Sequence, residues 1–294
     1  MIDRVWKLLK EATNGFIDDG ALSHAAAMAF YATTSLAPVL LIVVAIAGLA
    51  FGHEAAQLAL SAQLSGLMGS QSADLFEATL KSAAERSSGA IATVIGLVTL
   101  IVTASGVFGE MQLTLNKIWK AEPTAVSAST LMRARVASLG LVAALGFLLL
   151  VSLAASAAVT VLADFINASI PFGAPILSIV NAAVSFVLLS LMFAAIYKIL
   201  PDRGLVWRDV AVGAIITAAL FTLGKSLIGW YLGSSEIAST YGAAGGLMVV
   251  LLWVFYSSVI FLFGAELTRA YSIRHGSRPD LSAIVEQEAS DTTK

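Results

Sequence analysis

Cysteine is absent from this chain, which excludes a disulfide framework, a thiolate nucleophile and a cysteine-ligated metal, and leaves the redox compartment unreadable. Charge is scarce too: 12% of the 294 residues are Asp, Glu, Lys or Arg, about half the share in ordinary soluble domains, whereas 58% are hydrophobic. With a formal charge of -2 the chain lacks the basic face of a nucleic-acid binder. Histidine occurs only as His24, His53 and His275, all isolated, and no HxH, HxxE or DxD grouping exists to hold catalytic metal ions. There is likewise no GxxxxGK[ST] phosphate loop, no GxSxG elbow and no HExxH helix, so an ATP-driven pump is excluded for this chain alone. These gaps predict a protein that is not an enzyme and carries neither metal nor cofactor.

What is present is apolar sequence in runs long enough to cross a bilayer. Residues 21–52, ALSHAAAMAFYATTSLAPVLLIVVAIAGLAFG, contain no acid, lysine or arginine. A helix rises 1.5 Å per residue, so about 20 residues cover a hydrocarbon core of roughly 30 Å. Further uncharged runs predict spans near 89–109, 136–163, 176–197, 210–231 and 242–265. Pro171 and Pro175 set the expected start of the fourth near Ile176. Between the first two spans, residues 53–88 read as two short amphipathic helices outside the membrane. Residues 275–294 are polar and read as a disordered tail.

The first 20 residues form an amphipathic helix. Ile2, Val5, Trp6, Leu9, Phe16 and Ile17 lie on one side and Arg4, Lys7, Lys10 and Asn14 largely on the other. Such a helix either lies in the headgroup layer with its cations toward anionic lipid or packs under the bundle. A signal peptide fits poorly, because the run behind it is far longer than a 7–15-residue h-region.

Placing the amino terminus in the cytoplasm puts 14 of the 17 lysines and arginines in cytoplasmic segments, leaving Lys81, Arg86 and Lys225. That bias predicts six spans with both termini inside and the 53–88 insertion outside the cytoplasm.

Four segments carry a family resemblance: His24 to Leu49 (HAAAMAFYATTSLAPVLLIVVAIAGL), Leu115 to Trp119 (LNKIW), Tyr197 to Phe221 (YKILPDRGLVWRDVAVGAIITAALF) and Tyr241 to Leu267 (YGAAGGLMVVLLWVFYSSVIFLFGAEL). In content and order they resemble the YihY/BrkB family of bacterial inner-membrane proteins, over roughly residues 10–275. The resemblance implies a six-span inner-membrane protein linked to envelope integrity or serum resistance, sometimes proposed to move a lipid or envelope precursor. The family has also carried the label ribonuclease BN, which the absent catalytic groupings contradict.

On the first span His24, Tyr31, Thr34, Ser35 and Pro38 share a helical face, and Pro38 frees the carbonyl of Thr34. Polar groups in a bilayer are tolerated against protein or water, so this stripe is expected to face a bundle. Glu110, Asn116, Lys198, Asp209 and Glu266 all fall near cytoplasmic span ends. With the stripe they read as a polar path or vestibule; the competing account is helix-end ion pairs and snorkelling. Lys225, roughly 24 Å into the core from Asp209, either snorkels outward, meets Glu236 or borders a substrate path. Gly48 and Gly52, Gly229 and Gly233, and Gly242 and Gly246 form small-xxx-small pairs expected to seal helices at the outer side, although 23 glycines make chance a rival. GAIAT at Gly89 and GAIIT at Gly213 hint at an inverted repeat.

The expectation is therefore an all-α integral membrane protein, a six-span bundle with an amphipathic N-terminal helix and a two-helix extracytoplasmic insertion. Its expected role is transporter-like or flippase-like, acting on a lipid or amphipathic envelope component; the alternative is a non-transporting scaffold for envelope integrity. Expected partners are membrane lipids, with a second copy or envelope proteins beside them, and no nucleic acid.

Overall fold

Long uncharged stretches without interior proline leave the backbone little choice but helix, since every N–H and C=O must be bonded within the segment once water is gone. The computed structural model describes residues 2–35, 52, 58, 106–121, 173–234 and 245–278, and these are helical with short connections. We number the helices α1 (Ile2–Asp18), α2 (21–35), α3 (106–118), α4 (Gly173–Ile199), α5 (Trp207–Ser234) and α6 (Gly245–His275). No strand occurs among the described residues. Three of the helices contain stretches long and apolar enough to cross a membrane: Ile179–Ile199, Trp207–Ile228 and Leu247–His275. The 53–88 insertion (save Leu58), the span at 136–163, most of the span at 89–109 and the tail beyond 278 lie outside the described residues, as do Pro38, Gly48 and Gly242.

Helix ends differ from the sequence expectation for identifiable reasons. α4 starts at Gly173 rather than near Ile176, because Pro175 falls in the first turn, where an N–H is not needed. α6 runs ten residues past the expected end of the sixth span, to His275, and carries Glu266, Arg269 and Arg274 with it. α3 likewise continues past Gly109 to residue 118. Gly20 has φ 66 and separates α1 from α2, a left-handed geometry that suits glycine at a helix end.

The chain divides into two units. One comprises Met1–Asp19, Gln112–Thr222 and Phe263–Lys294; the other Gly20–Met111 and Leu223–Leu262. In the first, α4, α5 and α6 approach through a glycine–threonine interlock. Gly213 and Thr217 on α5, and Gly264 and Thr268 on α6, repeat one GxxxT spacing. Each threonine hydroxyl donates to the carbonyl of the glycine four residues back, at 2.7 Å for Thr217 and 2.6 Å for Thr268. That bond satisfies the hydroxyl inside its own helix and leaves the side chain to fill the gap over the facing glycine. A Cβ on Gly213 would stand 2.6 Å from Thr268 Cβ, and one on Gly264 would stand 2.9 Å from Thr217 Cβ. The pairing of 213 with 268 and 264 with 217 makes the two helices antiparallel here. Tyr197 of α4 completes the contact, its hydroxyl 3.2 Å from Thr217 Oγ1. Since the Thr217 proton is committed to Gly213, Tyr197 is the donor. Gly213 and Thr217 belong to the GAIIT segment, so packing against α6 accounts for its pattern.

In the second unit, the Tyr31 ring lies against Gly106, where a Cβ would meet Cδ1 at 2.8 Å. Gly224 of α5 faces Tyr256 and Ile260 of α6 in the same way. Gly52 is different. Its φ is 88, a left-handed geometry that suits glycine. Gly229, Gly233 and Gly246 lie within α5 and α6.

The interlock predicts opposite outcomes for one substitution. Gly213→Ala and Gly264→Ala force side chains apart and are expected to cost about 1–3 kcal/mol. Gly109→Ala, in α3 with no described atom within 4 Å of the added Cβ, should instead gain about 0.5–1 kcal/mol from helix propensity. Thermal unfolding in detergent checks this; equal midpoints for all three would remove the interlock.

Candidate functional site

The end of α3 organises the site. Ala121 N donates to Asn116 O at 2.9 Å and Lys120 N to Lys117 O at 3.1 Å, which is the Schellman pattern of a helix C-terminus. Lys120 takes the left-handed position, φ 48, that glycine usually fills. A side chain there costs on the order of 1 kcal/mol, and its recompense is reach. Lys120 Nζ stands 3.0 Å from Asp19 Oδ1. The carbonyls left over at this helix end are negative in character and attract cations. Arg269 Nη1 donates to Ile118 O at 3.2 Å, and Arg203 Nη1 to Trp119 O at 3.0 Å and Lys120 O at 2.8 Å.

Around that end, four charges from three segments meet. Asp19 follows α1, Lys120 ends α3, and Glu266 and Arg269 lie one turn apart on α6. Arg269 Nη1 is 3.4 Å from Asp19 Oδ2, and its Nη2 is 2.8 Å from Glu266 Oε2. Lys117 Nζ donates to the Asp19 carbonyl at 2.6 Å. Asp19, Glu266 and Arg269 are 2%, 0% and 3% exposed, so two acids and one base are buried, with Lys120 half-buried beside them. Gly15 admits it: a Cβ there would collide with the Arg269 guanidinium and stand 2.6 Å from Glu266 Oε2. Glu266 is the least satisfied member. Its Oε2 meets Arg269 without hydrogen-bonding geometry, and Oε1 has no hydrogen-bond donor among the described residues.

The other expected site residues occupy separate places. His24 Nδ1 and Glu110 Oε1 are 2.6 Å apart, each side chain about one-fifth exposed, which links α2 to α3. Thr34 and Ser35 hydroxyls donate to carbonyls of their own helix, Thr34 to Phe30 and Tyr31 and Ser35 to Ala32. Tyr31 and Thr34 are exposed, while Ser35 is buried. Asn116 exchanges two hydrogen bonds with Asp202, giving Nδ2 to Oδ2 at 2.5 Å and accepting from Asp202 N at 2.8 Å. Lys198 donates to Leu205 O and lies 5.7 Å from the Trp207 ring centroid, closing its own loop. Asp209 Oδ2 accepts from Ser272 Oγ at 2.8 Å, Ser277 N at 3.0 Å and Ser277 Oγ at 2.9 Å. Lys225 is half-buried on α5.

Among the described members of the expected group, His24 and Glu110 pair with each other and only Glu266 enters the buried cluster. Asp19, Lys120 and Arg269 were legible merely as charges near span ends. The signal that could have found them is the Glu266–Arg269 pair, three residues apart in an otherwise uncharged run, which on a helix shares a face. The link between LNKIW and the LPDRG loop is equally concrete, since Asp202 and Arg203 dock on Asn116, Trp119 and Lys120. No group of three or more His, Cys, Asp or Glu able to hold a metal ion occurs among the described residues.

This geometry can be set beside known proteins. The family model described as Virulence factor BrkB matches residues 12–286. A UPF0761 membrane protein of Pasteurella multocida is 33% identical over 180 residues, 60% of this chain and 53% of that protein. One from Mannheimia succiniciproducens is 29% identical over 60% of this chain and 59% of its own length. One from Pseudoalteromonas translucida is 27% identical over 95% of this chain and 91% of its own. The match to the first two relatives thus spans between half and three-fifths of their length. No solved structure matches the chain. A family match over nearly the whole length, with relatives named as membrane proteins and helices able to cross a bilayer, establishes that the chain belongs to the Virulence factor BrkB family of membrane proteins.

Proposed function

We propose that the protein is a six-span protein of the bacterial inner membrane, with both termini cytoplasmic, that moves a lipid or amphipathic envelope component without itself catalysing a covalent reaction. In this reading the cluster of Asp19, Lys120, Glu266 and Arg269 is an ionic lock that holds one arrangement of α1, α3 and α6. The observation that carries it is the burial of Asp19, Glu266 and Arg269, with Lys120 half-buried beside them, next to apolar helices. Each ion taken from water costs several kcal/mol, and a well-packed apolar replacement is often neutral or stabilising by about 1–4 kcal/mol. A protein that only had to stay assembled could hold these helix ends by an apolar contact of similar volume. One that exchanges two arrangements gains a contact that fixes a register and can be broken as a unit. The scaffold reading draws support from Asn116, Lys198 and Asp209, whose polar atoms are spent on loop contacts.

A paired substitution separates the two. Glu266→Gln or Arg269→Met alone leaves buried charge unbalanced and should cost about 3–5 kcal/mol, lowering folded abundance. Glu266→Leu with Arg269→Leu removes one charge of each sign and leaves Asp19 with Lys120. The double variant is expected to reach normal abundance and yet lose its effect on envelope permeability or serum resistance. A phenotype that simply follows abundance across single and double variants would establish the scaffold instead.

The orientation is checked separately in the cysteine-free chain. In spheroplasts Ser72→Cys is expected to react with an impermeant thiol reagent and Thr124→Cys to be shielded, following the basic-residue bias. The reverse pattern overturns the orientation.

A further inference from the structure

α1 has three faces. At about 100° per residue, Leu8, Ala12, Gly15 and Asp19 fall together on one of them. Ala12, Gly15 and Asp19 are buried there and Leu8 is half-buried. The second, roughly a third of a turn away, holds Val5, Trp6, Leu9, Thr13 and Ile17, all exposed. Val5 is 51%, Trp6 68% and Ile17 67% exposed. The third carries Arg4, Lys7 and Lys10 with Asp3, Asn14 and Asp18, also exposed. The helix therefore packs by Leu8, Ala12, Gly15 and Asp19 together with Phe16 from its apolar side, and the rest of that side is turned elsewhere. Sequence periodicity leaves both placements open, the apolar side packed under the bundle or lying in the headgroup layer.

Where α1 is attached decides what meets that side. Its second half docks on the last turns of α6: Phe16 on Phe263 at 5.9 Å between ring centroids, Asp19 on Arg269, and Glu11 on Arg274 at 2.5 Å. α6 has 31 residues, about 46 Å of helix, and so exceeds a ~30 Å hydrocarbon core by some ten residues. Its charged residues, Glu266, Arg269 and Arg274, all lie in the final third, which is the part that emerges. α1 is thus fastened at the depth of the headgroups.

We infer that the face formed by Val5, Trp6, Leu9, Thr13 and Ile17 inserts into the interface of the protein's own bilayer, with Arg4, Lys7 and Lys10 bound to anionic headgroups. Tryptophan favours that depth. An apolar side flanked by cations is the pattern that binds anionic lipid surfaces, each cation adding about 1 kcal/mol. A soluble protein partner would need no cations and no attachment at this depth. The inference requires only that the chain is a membrane protein and is independent of whether it transports.

The test uses the full-length chain, in which single cysteines are available because none is native. Val5→Cys, Leu9→Cys and Thr13→Cys, and on the polar side Lys7→Cys and Asn14→Cys, are labelled with an environment-sensitive fluorophore. Each is reconstituted in phosphatidylcholine vesicles with and without phosphatidylglycerol. Lipid brominated in its acyl chains is expected to quench labels at 5, 9 and 13 about twofold more than those at 7 and 14, and aqueous iodide to do the reverse. Phosphatidylglycerol should deepen the first effect, and Lys7→Glu with Lys10→Glu should abolish that gain. Iodide reaching positions 5 and 9 as readily as 7 overturns insertion. Equal quenching in neutral and anionic vesicles overturns the headgroup contact. Protection of 5 and 9 that requires added cell extract overturns the lipid assignment in favour of a protein partner.

Discussion

A guanidinium withdrawn from water must recover several kcal/mol from its surroundings, and Arg269 does so through Asp19, Glu266 and the Ile118 carbonyl. Those partners come from the segment after α1, from α6 itself and from the end of α3. None of them can shift without exposing a buried charge to an apolar setting. The left-handed Lys120, which reaches Asp19, and the glycine at position 15, which leaves room for the guanidinium, both serve to fit this one group in.

The same unit is held at α4, α5 and α6 by a different kind of contact. There is no hydrophobic drive between helices in lipid, so close backbone approach and short polar contacts take its place. Glycine opens the space and threonine fills it after bonding its own helix, which leaves no unpaired hydroxyl in the contact. Ion cluster and interlock complement one another: the first fixes which helix ends meet, the second how closely the shafts lie.

α1 illustrates how a correct sequence pattern can leave packing undecided. Its amphipathicity is real, but amphipathicity says that one side avoids water and not which apolar medium receives it. In a soluble protein the only apolar medium is the core. Beside a bilayer there are two, and Ala12 and Gly15 take the protein while Val5, Trp6 and Leu9 are left outward.

The sequence by itself determined the membrane class, the helical content and the family, because apolar length, scarce charge and ordered motif segments are local properties that survive without coordinates. It also marked Glu266, His24, Glu110, Asn116, Lys198 and Asp209 as a polar vestibule or, in the competing account, helix-end ion pairs. Only the tertiary structure decided which partners they found. His24 met Glu110, Asn116 met Asp202, Asp209 met Ser272 and Ser277, and Glu266 met Arg269 and, through it, Asp19. The pairs other than Glu266 with Arg269 are separated by 63 to 250 positions in the chain. Helical periodicity reports neighbours three and four residues away and nothing beyond, so long-range pairing of charges had to wait for the fold.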